Sequence, residues 1–547
     1  MKKKIVATII TAVIVLSMFS TLPISFAATE DEIEQSIIDG LAWLAGIQNP
    51  DGSWPGNEPV ARTGLAVLKF IDRAKELGEN PFEEPYQYHM QVVDGLNYIF
   101  LNAHALNITV PPQPHGDPDS DDDDMGVYFD SGDSWRRTYT TGICLMAIGA
   151  ADACADMLGI PSPIIASGPL AGQTYEDVIV DIVDYLAFGQ NDGGPERGGW
   201  GYYENYVGWS DNSNTGWVTL GLGYALASGA AIQQFVYDEL EIWINYIQNA
   251  VDGDSNDGGS GYDHPDSWVN MLKTGNLIYQ MRLVGYPMDD PRVIDAIDYQ
   301  VRHWSDTGWD PGWRGGDGWP DWAHHQATFS IMKGFEAYGI EFIDLDNDTI
   351  PEHDWFDEIS SRIVDTQNLN GSWNHDNWGD DILSTTWALL TLEKTVAIPV
   401  IDVHVDIKPG SWPNPINKGS KGVISVAICG TEDFDVMTID PGKVTMHNET
   451  SESGVASLRW SYEDVATPYP DETPDDPDGH EETVDGYIDL VFKFDTQDVV
   501  EMLGLCDYED WMFVKLFLKG NLFDEEGGTP IEGFDWVRIQ SPKGKGK

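Results

Sequence analysis

The chain runs to 547 residues and carries 91 Asp plus Glu against 30 Lys plus Arg, a formal net charge of -61. A field of that sign repels phosphate backbones and anionic lipid surfaces, which excludes nucleic acid and acidic membranes as partners. The 21 Trp residues are incompatible with a solvated, disordered acid, and four cysteines are too few for a disulfide framework.

Met1 to Ala28 reads as an export signal. Lys2, Lys3 and Lys4 precede an apolar run from Ile5 to Phe19, and Ser25-Phe26-Ala27 is a small-x-small cleavage site. The alternative is a retained anchor, but the run is short of the roughly 20 residues a span needs. The expectation is a secreted or cell-surface protein with no stable membrane span after cleavage.

Apolar residues then recur at helical spacing, beginning with Ile33, Ile37, Ile38, Leu41 and Leu44. The pattern predicts six helix–loop–helix units between residues 29 and 397. First helices fall near 31–48, 86–103, 174–190, 231–249, 291–304 and 354–368. Second helices fall near 61–77, 136–158, 213–229, 267–285, 324–339 and 381–396. The second helices share an opening phrase: Thr63-Gly64, Thr141-Gly142, Thr215-Gly216 and Thr274-Gly275, more loosely Thr328-Phe329 and Thr386-Trp387. Four first helices end in Gln-Asn, at Gln48, Gln190, Gln248 and Gln367, and a glycine and an aromatic ring follow. Such a Gln can bond free backbone groups at a neighbouring helix end, and the ring can pack the turn.

Those joints, Gln48…Gly52-Ser53-Trp54 through Gln367…Gly371-Ser372-Trp373, resemble the prenyltransferase and squalene-cyclase repeat family over about 31–396. The resemblance implies an α/α toroid, with first helices outside, second helices inside and a pocket at the N-terminal ends of the inner helices. It implies less about chemistry. Asp119-Ser120-Asp121-Asp122 matches the cyclase acid in letters. It lies in a polar, proline-flanked loop, a poor place to keep a carboxyl protonated, so a solvated or metal-binding loop is expected. His325 falls near the zinc histidine of the protein prenyltransferases, but their Asp-x-Cys partner is missing at the mouth, so zinc is disfavoured.

The mouth collects the site candidates. Asp321, His325, Asp380 and Asp381 are the catalytic candidates. Trp217, His264, Trp268, Trp319, Trp322, His324 and Trp387 are the ligand-binding ones. Rings beside carboxylates suit a glycan or an isoprenoid. No cofactor is assigned, but Asp344, Asp346, Asp348 and Glu352 alternate like calcium ligands.

From Ile398 the pattern changes. About seven short strand-like runs follow, "GVISVAI" and "YIDLVFKF" among them, and predict an all-β sandwich over 398–541, with a basic tail at 542–547. "VDIKPGSWPNPINKGSKGVISVAI" resembles an accessory module of exported prokaryotic proteins. Cys429 and Cys506 are read either as a bridge or as two buried thiols. The combined reading is a multidomain protein, an all-α (α/α)6 toroid followed by a β-sandwich. It binds an extracellular small molecule, lipid or glycan; alternatively it is an enzyme of terpenoid cyclase or prenyltransferase type, or cleaves a glycan with mouth carboxylates.

Overall fold

The computed structural model describes the chain apart from residues 1–26, 109–113, 122, 133–134, 205–207, 252, 308–311, 316–322, 346–350, 375–379, 398–400, 432–433, 449–453, 469–483, 509, 524–529 and 542–547. Residues 1–26 of the export signal, the basic tail, Trp319, Asp321, Trp322, Asp346 and Asp348 therefore lie outside the described residues.

Twelve helices alternate between two layers. The outer ones are α1 (Glu30–Gly46), α3 (His89–Leu101), α5 (Tyr175–Gly189), α7 (Gln234–Ile247), α9 (Pro291–Arg302) and α11 (Trp355–Asp365). The inner ones are α2 (Pro59–Leu77), α4 (Arg137–Met157), α6 (Asn212–Ala227), α8 (Met271–Leu283), α10 (His325–Ala337) and α12 (Asp381–Leu392). Inner helices are buried nearly all round, whereas outer helices bury one stripe, except α5, which is also covered by the strand at Met125–Phe129. Each inner helix packs on the next, and α12 packs back on α2, so the inner layer closes into a ring. No described helix is long and apolar enough to cross a membrane.

The repeated Gln is the fastener between units. Gln48 Nε2 donates to Gly52 O in its own turn and to Gln91 O on α3, both at 3.0 Å. Gln190 does the same to Gly198 O and Val236 O, and Gln248 to Gly258 O and Arg292 O. Gln367 donates to Gly371 O at 2.9 Å and to Ser36 O at 2.8 Å. Ser36 is on the first helix, so this clasp, that of the sixth unit, joins the end of the ring to its beginning. The glycine in each turn has positive φ, 88° at Gly52 and 91° at Gly371. A Cβ there would sit 2.1 Å from Asp94 O or 2.2 Å from Asp39 O, backbone atoms of the next outer helix. The aromatic rings close the joint: the Trp54, Trp200 and Trp373 indoles are fully buried and donate to Leu44 O, Leu186 O and Ile363 O.

The shared threonine has a matching duty. Thr63, Thr141, Thr215 and Thr274 each accept a backbone N–H from the preceding loop through Oγ1, at 2.9–3.1 Å. In the sixth unit Thr385 does this, not Thr386, which turns its hydroxyl back to Ile382 O. The adjacent glycines let inner helices touch. A Cβ on Gly142 would lie 2.8 Å from the Trp217 backbone, and one on Gly275 2.5 Å from Ser330.

Two joints depart from the pattern. In the second unit a hairpin replaces the Gln turn, β1 (Ala103–Asn107) pairing antiparallel with β2 (Met125–Phe129). In the fifth, Trp304 Nε1 reaches Glu358 Oε2 of the next outer helix at 2.8 Å. A short pair, β3 (Phe342–Ile343) and β4 (His353–Asp354), precedes α11.

After Ala397 the chain is β. One sheet runs β10 (Val455–Ala456), β9 (Thr445–Asn448), β13 (Phe513–Asn521), β14 (Pro530–Gln540), β5 (Ile401–Asp402), with β7 (Pro415–Asn417) also on β14. The other runs β11 (Arg459–Glu463), β12 (Asp489–Asp495), β8 (Val423–Ile428), β6 (Val405–Ile407). Both contribute to one apolar cluster that includes Val426, Phe492, Leu516 and Val537. A helix, α13 (Thr496–Met502), interrupts the strands and is capped by Asp495. All four cysteines are free; Cys429 is buried and Cys506 exposed, so there is no bridge.

Candidate functional site at the mouth of the ring

All six inner helices bring their first turns, or the loop before them, to one cavity of about 490 Å³. Its wall holds six aromatic rings: Tyr139, Tyr202, Trp217, Tyr262, Trp268 and Trp387. Among the described residues three cations join them, Arg62, Arg136 and Lys273, against one lining carboxylate, Glu58. Asn57, Ser213, Asn270 and Gln326 add neutral polar groups, and Leu65, Ile143 and Leu272 form apolar wall.

Each charged group is held in place. Arg136 pairs with Glu58 at 2.6 Å, and its guanidinium lies 4.1 Å from the centre of the Trp135 ring. Arg62 pairs with Asp380 at 2.5 Å, bridging α2 to the start of α12. Lys273 Nζ donates to Trp268 O and lies 4.1 Å from that ring's centre. Trp268 itself has φ 55° and is 41% exposed, so its face is presented to solvent at the rim. Tyr202 and Tyr262 hydroxyls meet at 3.2 Å. Burial, then Tyr202, pushes the Tyr139 phenol up to about 12, so it stays a donor. Asp211 caps α6 from a fully buried position and accepts from both Ser213 and Asn214, which fixes Ser213 at the wall. Burial pushes its carboxyl up to about 6.

The sequence candidates separate into three groups. Trp217, Trp268 and Trp387 line the cavity. His264 does not: it is exposed, edge-on to Tyr246 at 6.1 Å. His324 is buried and caps α10, accepting from Ala327 N at Nδ1, and His325 lies edge-on to Trp373 at 6.4 Å. Their neighbour Gln326 is the α10 residue that reaches the wall. Asp380 is the N-cap of α12, accepting from Ile382 N and Leu383 N, and Asp381 is exposed beside it. Sequence reasoning missed Lys273 and Gln326. Lys273 had a readable signal, since it precedes its Thr-Gly phrase as Arg62 precedes Thr63-Gly64.

Among the described residues the three-membered groups able to hold a metal are all carboxylates, and they lie on the outside of the ring. Asp119, Asp121 and Asp184 form one, and Asp121, Asp123 and Asp181 the other. Burial and the acids around it push Asp181 up to about 8. Of the calcium candidates within the description, Asp344 is half-buried at the end of β3 and Glu352 exposed.

No family model and no curated protein matches the chain. Among solved structures, the GH76A alpha-1,6-mannanase from Salegentibacter sp. HEL1_6 aligns at 11% identity with a TM-score of 0.42, covering 66% of this chain and 98% of that one. An inactive variant of that mannanase in complex with alpha-1,6-mannotriose aligns at 11% identity with a TM-score of 0.41 and the same coverage. A Glycoside Hydrolase Family 15 glucoamylase from Hypocrea jecorina aligns at 12% identity with a TM-score of 0.29, covering 93% of this chain and 86% of that one. Likeness this distant carries no inference about activity.

Proposed function

We propose that this is an exported binding protein that holds an acidic saccharide in the mouth cavity. The observation that carries the reading is the composition of the wall among the described residues: six rings, three cations and one carboxylate in a chain of net charge -61. Sugar rings stack on aromatic faces, and their hydroxyls satisfy Asn57, Ser213, Asn270, Gln326 and the tyrosines. A prenyl chain would bury those polar groups without partners, at about 1–3 kcal/mol each. Glu58 and Asp380 offset Arg136 and Arg62, so the net positive character of the wall comes from Lys273 and the six helix N-termini, and it favours an anion. Glycosidic cleavage by the usual pair of carboxylates is the weaker reading, since Glu58 alone lines the cavity among the described residues and is tied to Arg136.

A second reading rests on the same cations: an isoprenoid diphosphate, as the prenyltransferase-like repeats suggest, with the diphosphate on Arg62 and Arg136 and the chain on Trp217 and Trp387. Titration calorimetry separates the two. Oligosaccharides of uronic acids are expected to bind, neutral ones of equal length at least tenfold more weakly, and the sugar to be recovered uncleaved. Binding of a prenyl diphosphate with no response to acidic sugars would replace the first reading by the second. Shortened products would make the protein an enzyme. Changing Arg136 to Gln is expected to weaken acidic-sugar binding tenfold or more with little change in melting temperature.

A further inference from the structure

The insertion between β1 and β2 is pinned to the outside of the ring. Gln233, just before α7, donates through Nε2 to Pro118 O at 2.8 Å and to Asp184 Oδ1 at 2.7 Å. Ser120 N donates to the other oxygen of Asp184 at 2.9 Å. The loop then folds over its own acid, Asp123 N and Asp124 N donating to the two oxygens of Asp119. This brings the carboxylates of Asp119, Asp121 and Asp123 onto α5, where Asp181 and Asp184 stand one helical turn apart. Within each triad the oxygens lie within 4.8 Å of one another.

Clustered acids alone mean little on so acidic a protein. Asp181 makes this cluster different. It is 3% exposed, its oxygen is aimed at those of Asp121 and Asp123, and among the described residues no hydrogen-bond donor or basic side chain meets it. The charges that act on it most, Asp123, Asp121, Asp184 and Asp177, are all negative. A carboxylate removed from water in that setting needs a proton or a cation. The ligand set is all oxygen, with no His or Cys, and it combines loop groups with helix groups. That suits Ca²⁺, which takes six to eight oxygens in adaptable geometry, better than Mg²⁺ or zinc.

We propose that Asp119, Asp121 and Asp123 of the loop, with Asp181 and Asp184 of α5, form a calcium site that fastens the insertion to the ring. The proposal is independent of the ligand reading above. It is tested on the full chain, stripped with EDTA, by calorimetric titration with CaCl₂ and MgCl₂ and by melting in each. Wild type is expected to bind calcium, to prefer it to magnesium by tenfold or more, and to melt higher with it. Asp121→Asn, a change at an exposed position, is expected to weaken calcium binding at least tenfold. Asp181→Asn is expected to abolish the calcium-dependent rise while melting no lower than wild type in EDTA, because the amide needs neither a proton nor a cation at that buried position. Should Asp181→Asn fail to fold, Asp121→Asn decides. Three results would overturn the site: no calcium binding by wild type, equal responses to the two ions, or calcium affinity undiminished in Asp121→Asn.

Discussion

Gln367 forms the clasp of the sixth unit, and its amide serves two carbonyls, Ser36 O and Gly371 O. Changing it to Ala is expected to cost about 1–3 kcal/mol in chemical denaturation, the usual range for stranding buried acceptors. Hydrogen exchange should place the loss at α1 and α11. Gly371→Ala should cost more, because its Cβ would meet Asp39 O at 2.2 Å with φ at 91°. A different residue sets a pH dependence in the β part. Burial, with Asp535 and Asp489 alongside, pushes the Asp406 carboxyl up to about 8. In the unfolded chain it titrates at about 3.9. Between those values the folded state holds a proton that the unfolded state has released, so stability falls as pH rises through about 4 to 8. Asp406→Asn is expected to flatten that slope, read as melting temperature against pH; an unchanged slope would assign it to other groups. At this scale the sequence was legible where a residue repeats. Four copies of Gln-Asn exposed the clasp, whereas His324 and His325, adjacent and titratable, read as a site and are held as a helix cap and against Trp373.

At the scale of the element, the inner helices show why weak helix formers stand in their first turns. Glycine costs a helix roughly 1 kcal/mol relative to alanine, and Gly142→Ala would recover that in an isolated helix. In the ring the new Cβ would lie 2.8 Å from the Trp217 backbone, so α4 and α6 would have to part. The contact wins, and the variant is expected to be less stable by about 1–3 kcal/mol. Because Tyr139 and Trp217 follow these positions at the wall, ligand affinity should fall as well. Unchanged stability would mean that the ring widens at no cost. Outer helices were legible because a 3.6-residue apolar period persists in them, and inner ones, buried nearly all round, because most share a Thr-Gly opening. The hairpin of β1 and β2 was not, since one of its strands reads "MGVYF", too short for periodicity to separate from a turn. The acidic loop between the strands was visible as letters, but its meeting with Asp181 and Asp184 joins residues some 60 positions apart, which no local pattern carries.

For the whole molecule, the seam between α2 and α12 is closed by charge as well as by packing. Lys69 and Arg73 meet Glu393, and Arg62 meets Asp380. Lys69 and Glu393 are almost wholly buried, so salt screens that pair little, while it screens the mutual repulsion of the exposed acids strongly. Raising NaCl from about 0.1 M to about 1 M shortens the screening length from roughly 10 Å to roughly 3 Å, and melting temperature is expected to rise. A fall would mean that the seam pairs, and not the surface field, dominate the response.

The clasp of the sixth unit has a further consequence. An open stack of repeats has a first and a last member, each with one bare flank, and it loosens from those flanks inward. Here the unit that begins the chain and the unit that ends the ring are neighbours like any other two. No repeat is terminal, so none is a natural starting place for fraying, and the chain's order of synthesis leaves no trace in the order of its parts. Such a circle could be opened at any joint and rejoined at the seam, where Gln367 already donates to Ser36 O on α1.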